Sequence, residues 1–225
     1  MLLSKKKRYL HIALNSTLNE AYSIIQSLPA NDRILIEAGT PLIKRYGTEA
    51  ITTLRSWWSG KLWGTGIVPY VVADMKTMDR AETEVLIAKN AGASSVICLG
   101  QAPIETINSF VETCRANGVD SMIDMMNIEF PVKILRRLKK LPDVVLLHRG
   151  VDEELFNKSK PIPYIQINKV LSSYDCLIAI AGGDTIREVQ RAVFNGAHIV
   201  VVWKEFYHQS GDTGNLAAEF LKEIK

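Results

Sequence analysis

The sequence is poor in cysteine. Of 225 residues only Cys98, Cys114 and Cys176 are cysteines, an odd number with no C-x-x-C spacing. A complete disulfide framework and paired-thiol chemistry are therefore set aside. Cys98 and Cys176 stand inside apolar, strand-like runs and read as small buried hydrophobes in a reducing, cytoplasmic setting. Surplus charge is scarce too: a net +3 is too small to imply a nucleic-acid partner. No apolar run is long enough to span a membrane, and none follows Lys5-Lys6-Lys7-Arg8 as a targeting signal requires. That basic cluster reads as a solvated N-terminus. No linker, low-complexity tract or second domain is visible, so residues 1–225 are expected to form one domain.

What is present is an alternation repeated eight times. Short runs rich in Val, Ile and Leu, as strands buried on both faces should be, occur at 9–14, 34–38, 70–74, 95–99, 121–125, 144–148, 177–181 and 198–203. Segments of helical period lie between them, among them 82–91, 132–141 and 185–194. Turns at Asn90-Ala91-Gly92 and Asn195-Gly196 read as helix ends leading back into strands. Eight strand-plus-helix units in this length predict a single α/β domain, a (β/α)8 TIM barrel. A doubly wound open sheet competes, but no G-x-G-x-x-G opens the first unit. One stretch, 56–66, with Trp57, Trp58 and Trp63 among glycines, reads as an irregular connection. It would pack an oligomer interface or cap the bottom of the barrel.

Chemistry in such barrels gathers at the carboxyl ends of the strands. In chain order those ends carry Asn15, Glu37, the triplet Asp74-x-Lys76-x-x-Asp79, Asp124, His148, Gly182-Gly183 and Lys204. Charges that end a buried apolar run are too costly to be core. Positions two apart in a strand share a face, so Asp74 and Lys76 should converge on one spot. A lysine flanked by carboxylates is a proton carrier or the counter-ion of a carboxylate-held metal. The bland alternative is a surface salt-bridge patch with Asp79 as a helix N-cap. Glu37 precedes Gly39-Thr40-Pro41, where Thr40 looks like an N-cap with proline at the next position. Glu37 and Asp74, on adjacent strands, suit a hard cation such as Mg²⁺ better than zinc, since no His or Cys stands beside them. His148 is placed as an acid/base group, whereas His11, His198 and His208 receive no such role. Gly182-Gly183, opening a helix after the seventh strand, implies a phosphorylated substrate.

The runs Glu37-Ala38-Gly39-Thr40-Pro41-Leu42, Ala73-Asp74-Met75-Lys76-Thr77-Met78-Asp79, His148-Arg149-Gly150-Val151-Asp152 and Ile180-Ala181-Gly182-Gly183 resemble 3-hexulose-6-phosphate synthase. Its near relative is 3-keto-L-gulonate-6-phosphate decarboxylase, and both belong to the orotidine-monophosphate-decarboxylase-like barrels. The resemblance implies an aldolase that joins formaldehyde to D-ribulose 5-phosphate through a Mg²⁺-stabilised enediolate. In it Glu37 and Asp74 hold the metal, Lys76 neutralises oxyanion charge, and His148 removes the C1 proton. It also implies a homodimer with active sites at the interface and Asp79 offered to the partner's site. Asn15, Thr40, Gly182, Gly183 and Lys204 are expected to bind the substrate. The decarboxylase branch carries Arg three residues after the histidine, where this chain has Val151, which favours the aldolase branch. Two features depart from the pattern: Asn15 replaces an Asp, and Trp203-Lys204 replaces a Gly-Arg pair that serves the phosphate. Asp184, directly after the glycine pair, would repel an anion unless it points away.

Overall fold

The computed structural model describes residues 1–157, 159–183, 185–204, 206 and 213–224. Its strands are β1 (Tyr9–Leu14), β2 (Ile34–Ala38), β3 (Val71–Thr77), β4 (Ser95–Leu99), β5 (Asp120–Asp124), β6 (Val144–His148), β7 (Leu177–Ala181) and β8 (Ile199–Val202). All pair in parallel with their sequence neighbours, and β1 closes on β8, so the sheet is an eight-stranded barrel. The helices are α1 (Leu18–Ser27), α2 (Thr40–Tyr46), α3 (Thr48–Lys61), α4 (Ala81–Asn90) and α5 (Ile104–Ala116). They continue with α6 (Pro131–Leu135), α7 (Val151–Phe156), α8 (Tyr164–Leu171), α9 (Ile186–Phe194) and α10 (Thr213–Glu223). This is the (β/α)8 barrel that the alternation predicts.

Each strand serves two cores because its side chains alternate. On β1, Leu10, Ile12 and Leu14 face outward into the layer shared with the helices. Tyr9 faces the barrel axis with Leu35, Val72, Ile97, Met122, Val144, Leu177 and Ile199. The helices present matching stripes, as in α1, where Ala21, Ile24 and Ile25 are buried. Thr17 caps that helix, its hydroxyl accepting the Glu20 N–H at 3.3 Å. The amino-terminal end of the barrel is closed by a polar plug. Asp120, fully buried, accepts the Tyr70 hydroxyl at 2.9 Å and the backbone N–H of Leu2 at 2.6 Å.

Two sequence expectations need correction. The first is the tryptophan-rich stretch, half of which is helix. Ala50, Ile51, Leu54 and Trp58 recur at helical spacing and are buried, so α3 runs on to Lys61. Trp58 is fully buried and Trp57 meets Tyr22 edge-on at 5.0 Å, so both serve the α1–α3 packing, while Trp63 projects into solvent at 88% exposure. The second is the helix expected over 132–141, which stops at Leu135. Continuing it would set Lys133 over Arg137 and Arg136 over Lys140, like charges one turn apart.

Candidate active site

The inward-facing positions that build the core also build the site. On β2 the inner row runs Leu35, Glu37; on β3 Val72, Asp74; on β5 Met122, Asp124; and on β6 Val144, Leu146, His148. Each row is polar at its last residue, so four polar side chains meet at one mouth. That mouth is a cavity of about 680 Å³ lined by Glu37, Asp74, Lys76 and His148, with Asn15, Thr40, Gly182 and Lys204 also on its wall.

Lys76 does not reach the cavity by simple strand alternation. Between Ala73 and Thr77 the register against β4 shifts, and Lys76 has φ +48° in the left-handed region. A bulge with a non-glycine residue at positive φ stores strain, and here it turns the lysine inward. The Nζ atom stands 3.0 and 3.1 Å from the two Asp74 oxygens and 2.7 Å from Asp124 Oδ2. Asp124 Oδ2 also lies 2.9 Å from His148 Nδ1. Asp124 therefore joins the cation and the imidazole beneath the cavity floor. An ionised carboxylate only accepts hydrogen bonds, so Nδ1 carries the proton and Nε2 presents its lone pair away from Asp124.

These contacts set the charge states. Burial opposes ionisation of Asp124, yet His148 and Lys76 outweigh it and hold that carboxyl well below the usual range. Burial would strip the proton from Lys76, but Asp74 and Asp124 outweigh it, so the ammonium is strongly retained. His148 is also pushed down by burial and pulled up more strongly by Asp124, ending above 6.5. Asp74 is raised, first by burial and then by Glu37 and Asp124. Glu37 is lowered, because His11, Lys76 and His148 together overcome its burial.

The second ring of contacts fixes the carboxylates. Thr40 is the first residue of α2, with Gly39 as N-cap, rather than the cap itself. Its hydroxyl donates instead to Asp74 Oδ2 at 2.8 Å. A Cβ on Gly39 would stand 1.9 Å from Asn15 Oδ1, so glycine here makes room for the Asn15 amide at the head of α2. His11, fully buried on β1, places Nε2 2.7 Å from Glu37 Oε2. Neither of its ring nitrogens makes a well-directed hydrogen bond among the described residues. The 2.7 Å approach makes His11 the largest of the influences that lower Glu37 against its burial, ahead of Lys76 and His148.

The sequence matches the family described as Orotidine 5'-phosphate decarboxylase / HUMPS over residues 8–212. The chain belongs to that family. Among its relatives is the Bifunctional enzyme Fae/Hps of Methanocella arvoryzae, 36% identical over 219 residues, which are 96% of this chain and 53% of that protein. The chain thus spans about half the length of the relatives it matches. A crystal structure of 3-hexulose-6-phosphate synthase superposes with TM-score 0.81 at 27% identity, covering 96% of this chain and all of the other. The Salmonella typhimurium 3-hexulose-6-phosphate synthase superposes with TM-score 0.83 at 26% identity, covering 96% and 98%.

At the opposite end of the family barrel's mouth, Gly182 has φ +103°, and a Cβ there would lie 2.6 Å from the Arg149 carbonyl oxygen. Only glycine fits. Gly183 is packed under Ile162 and Glu188 and does not line the cavity. The head of α9 is closed by its own box, with Thr185 N–H donating to Glu188 at 3.0 Å and the Thr185 hydroxyl accepting Glu188 N–H at 3.3 Å. Lys204 lines the cavity and donates to Glu154 at 2.5 Å. Asp79 is exposed, lies outside the cavity, and is not the N-cap of α4, a place held by Arg80. Asp184 and His208 lie outside the described residues.

Sequence reasoning left His11, Arg149 and Glu154 without a role and named Asp124 without one. A signal for His11 was present, since counting back by two from Asn15 through Ala13 puts it on the inner row of β1. For Asp124 the same count along β5 puts it level with the other strand-end acids.

Proposed function

We propose that this chain is an aldolase of the 3-hexulose-6-phosphate synthase type, joining formaldehyde to D-ribulose 5-phosphate. The observation that carries the reading is the chain Lys76–Asp124–His148, closed at 2.7 and 2.9 Å beside two further carboxylates in one cavity. It matches what the reaction needs. His148 Nε2 removes the C1 proton of the ketose, and the electron pair moves to the C2 oxygen to give an enediolate. Lys76, held as an ammonium, stabilises that charge. C1 then attacks the formaldehyde carbon, and the former carbonyl oxygen takes its proton from the His148 imidazolium, which resets the base. Asp124 keeps the ring in the tautomer that can perform both transfers.

Glu37 and Asp74 are hard oxygen donors facing one cavity. No group of three or more His, Cys, Asp or Glu forms a ready cage among the described residues. Two carboxylates with water and substrate oxygens as the remaining ligands are a set that suits Mg²⁺. When bound, such an ion would polarise the ketose carbonyl. We also propose that Asp79, exposed after β3, serves the site of a second copy in a homodimer. Val151 on the cavity wall, where the decarboxylase branch carries Arg, supports carbon–carbon bond formation over decarboxylation.

The test is direct. Purified protein with Mg²⁺ should consume formaldehyde and ribulose 5-phosphate in equal amounts. Consumption of neither, or release of CO₂ from a 3-keto-sugar-acid phosphate instead, would refute the assignment.

A further inference from the structure

The end of the cavity away from Lys76 holds a carboxylate between two cations. Glu154, in the first turn of α7, stands with Oε2 2.5 Å from Lys204 Nζ and Oε1 3.7 Å from Arg149 Nη2. Arg149 is anchored elsewhere as well, donating to the Gly182 carbonyl at 2.5 Å. Glu154 and Arg149 together thus link the segments that follow β6, β7 and β8 around the same rim. Among the described residues that line the cavity, Arg45, Lys76, Arg149 and Lys204 face Glu37, Asp74, Asp152 and Glu154, four cations against four carboxylates. A phosphomonoester brings roughly −1.5 to −2 charge at neutral pH and needs surplus positive charge where it sits. The glycine at Gly182 and the ammonium of Lys204 are the groups that would cradle it, and Glu154 occupies the cation.

We propose that Glu154 is a displaceable counter-ion of the phosphate end, and so sets the affinity of this site for phosphorylated ligands. In the ligand-free chain it holds Lys204 and Arg149 in place; on binding, the phosphate takes over Lys204 and the carboxylate turns out to solvent. Glu154 is already about one-third exposed, so that turn requires no repacking of the core. Its carboxylate acts through the cations and never touches the reacting atoms, which makes it a positioning and specificity residue. The inference rests on the proposed reading that the substrate carries its phosphate at this end.

The experiment is calorimetric binding of inorganic phosphate to the full chain without ketose or formaldehyde. Glu154→Gln, which keeps shape and removes charge, should bind phosphate roughly 5–20-fold more tightly than the unaltered chain. Glu154→Ala should do the same, and adding Lys204→Met should erase the gain. The KM for ribulose 5-phosphate should fall in the Gln variant more than kcat changes. If the unaltered chain binds phosphate and both Glu154 variants bind it equally or less tightly, Glu154 is a structural tie and the proposal fails while the phosphate reading stands. If neither the unaltered chain nor the variants bind phosphate, the phosphate reading fails and takes this one with it.

Discussion

Replacing His148 by alanine is expected to slow formaldehyde-dependent consumption of ribulose 5-phosphate by about 10²–10⁴-fold, the usual contribution of a positioned general base. The chain should still fold, because Asp124 keeps its 2.7 Å contact with Lys76 when the ring is gone. A loss of about 1–3 kcal/mol, read from urea unfolding, accounts for the missing charged hydrogen bond. The pH profile of the unaltered protein carries the same claim. A base must be neutral to act, and burial plus the stronger pull of Asp124 leaves His148 above 6.5. Activity should therefore rise as pH increases through a value above 6.5, and that acid limb should vanish in the alanine variant. Full activity in His148→Ala would remove the histidine from the mechanism.

The second large effect is at Asp124. Asp124→Ala leaves the Lys76 ammonium with Asp74 alone and leaves His148 with no anion beneath it. Breaking a buried ion pair by deleting one partner costs about 3–5 kcal/mol, measurable as a fall in the urea midpoint. Activity should fall by at least about 10²-fold because ring orientation and charge are lost together. Asp124→Asn separates the two contributions. It restores shape without charge, so stability should recover in part while the acid limb moves to lower pH as His148 loses the group that raised it. An acid limb that stays in place in Asp124→Asn would mean that Asp124 does not set the basicity of His148.

The fold was legible because eight apolar runs and the polar segments between them can satisfy their burial in few ways, and closure into a parallel barrel is one of them. Much of the site was legible for the same reason, since a charge ending a buried row can only point into the mouth. Glu37, Asp74 and His148 do line one cavity. The rest was hidden by contacts that are not local. The bulge at Lys76 depends on the register of β3 against β4, which no spacing within β3 records. Thr40 reads as a helix cap in any sequence, and its bond to Asp74 exists only because two strands are adjacent. His11 in a buried run is indistinguishable from a packing histidine until Glu37 is seen 2.7 Å away. Trp58 was misread because glycine and tryptophan in a short window mask a helical stripe that begins at Ala50.

The most direct measurement is exchange of the C1 proton of ribulose 5-phosphate in D₂O with Mg²⁺ and no formaldehyde, followed by NMR. An imidazole base facing a ketose beside a retained ammonium should wash deuterium into C1 with the carbon skeleton intact. If the folded, metal-supplied protein binds the sugar phosphate and C1 stays protonated, the account of this site is wrong.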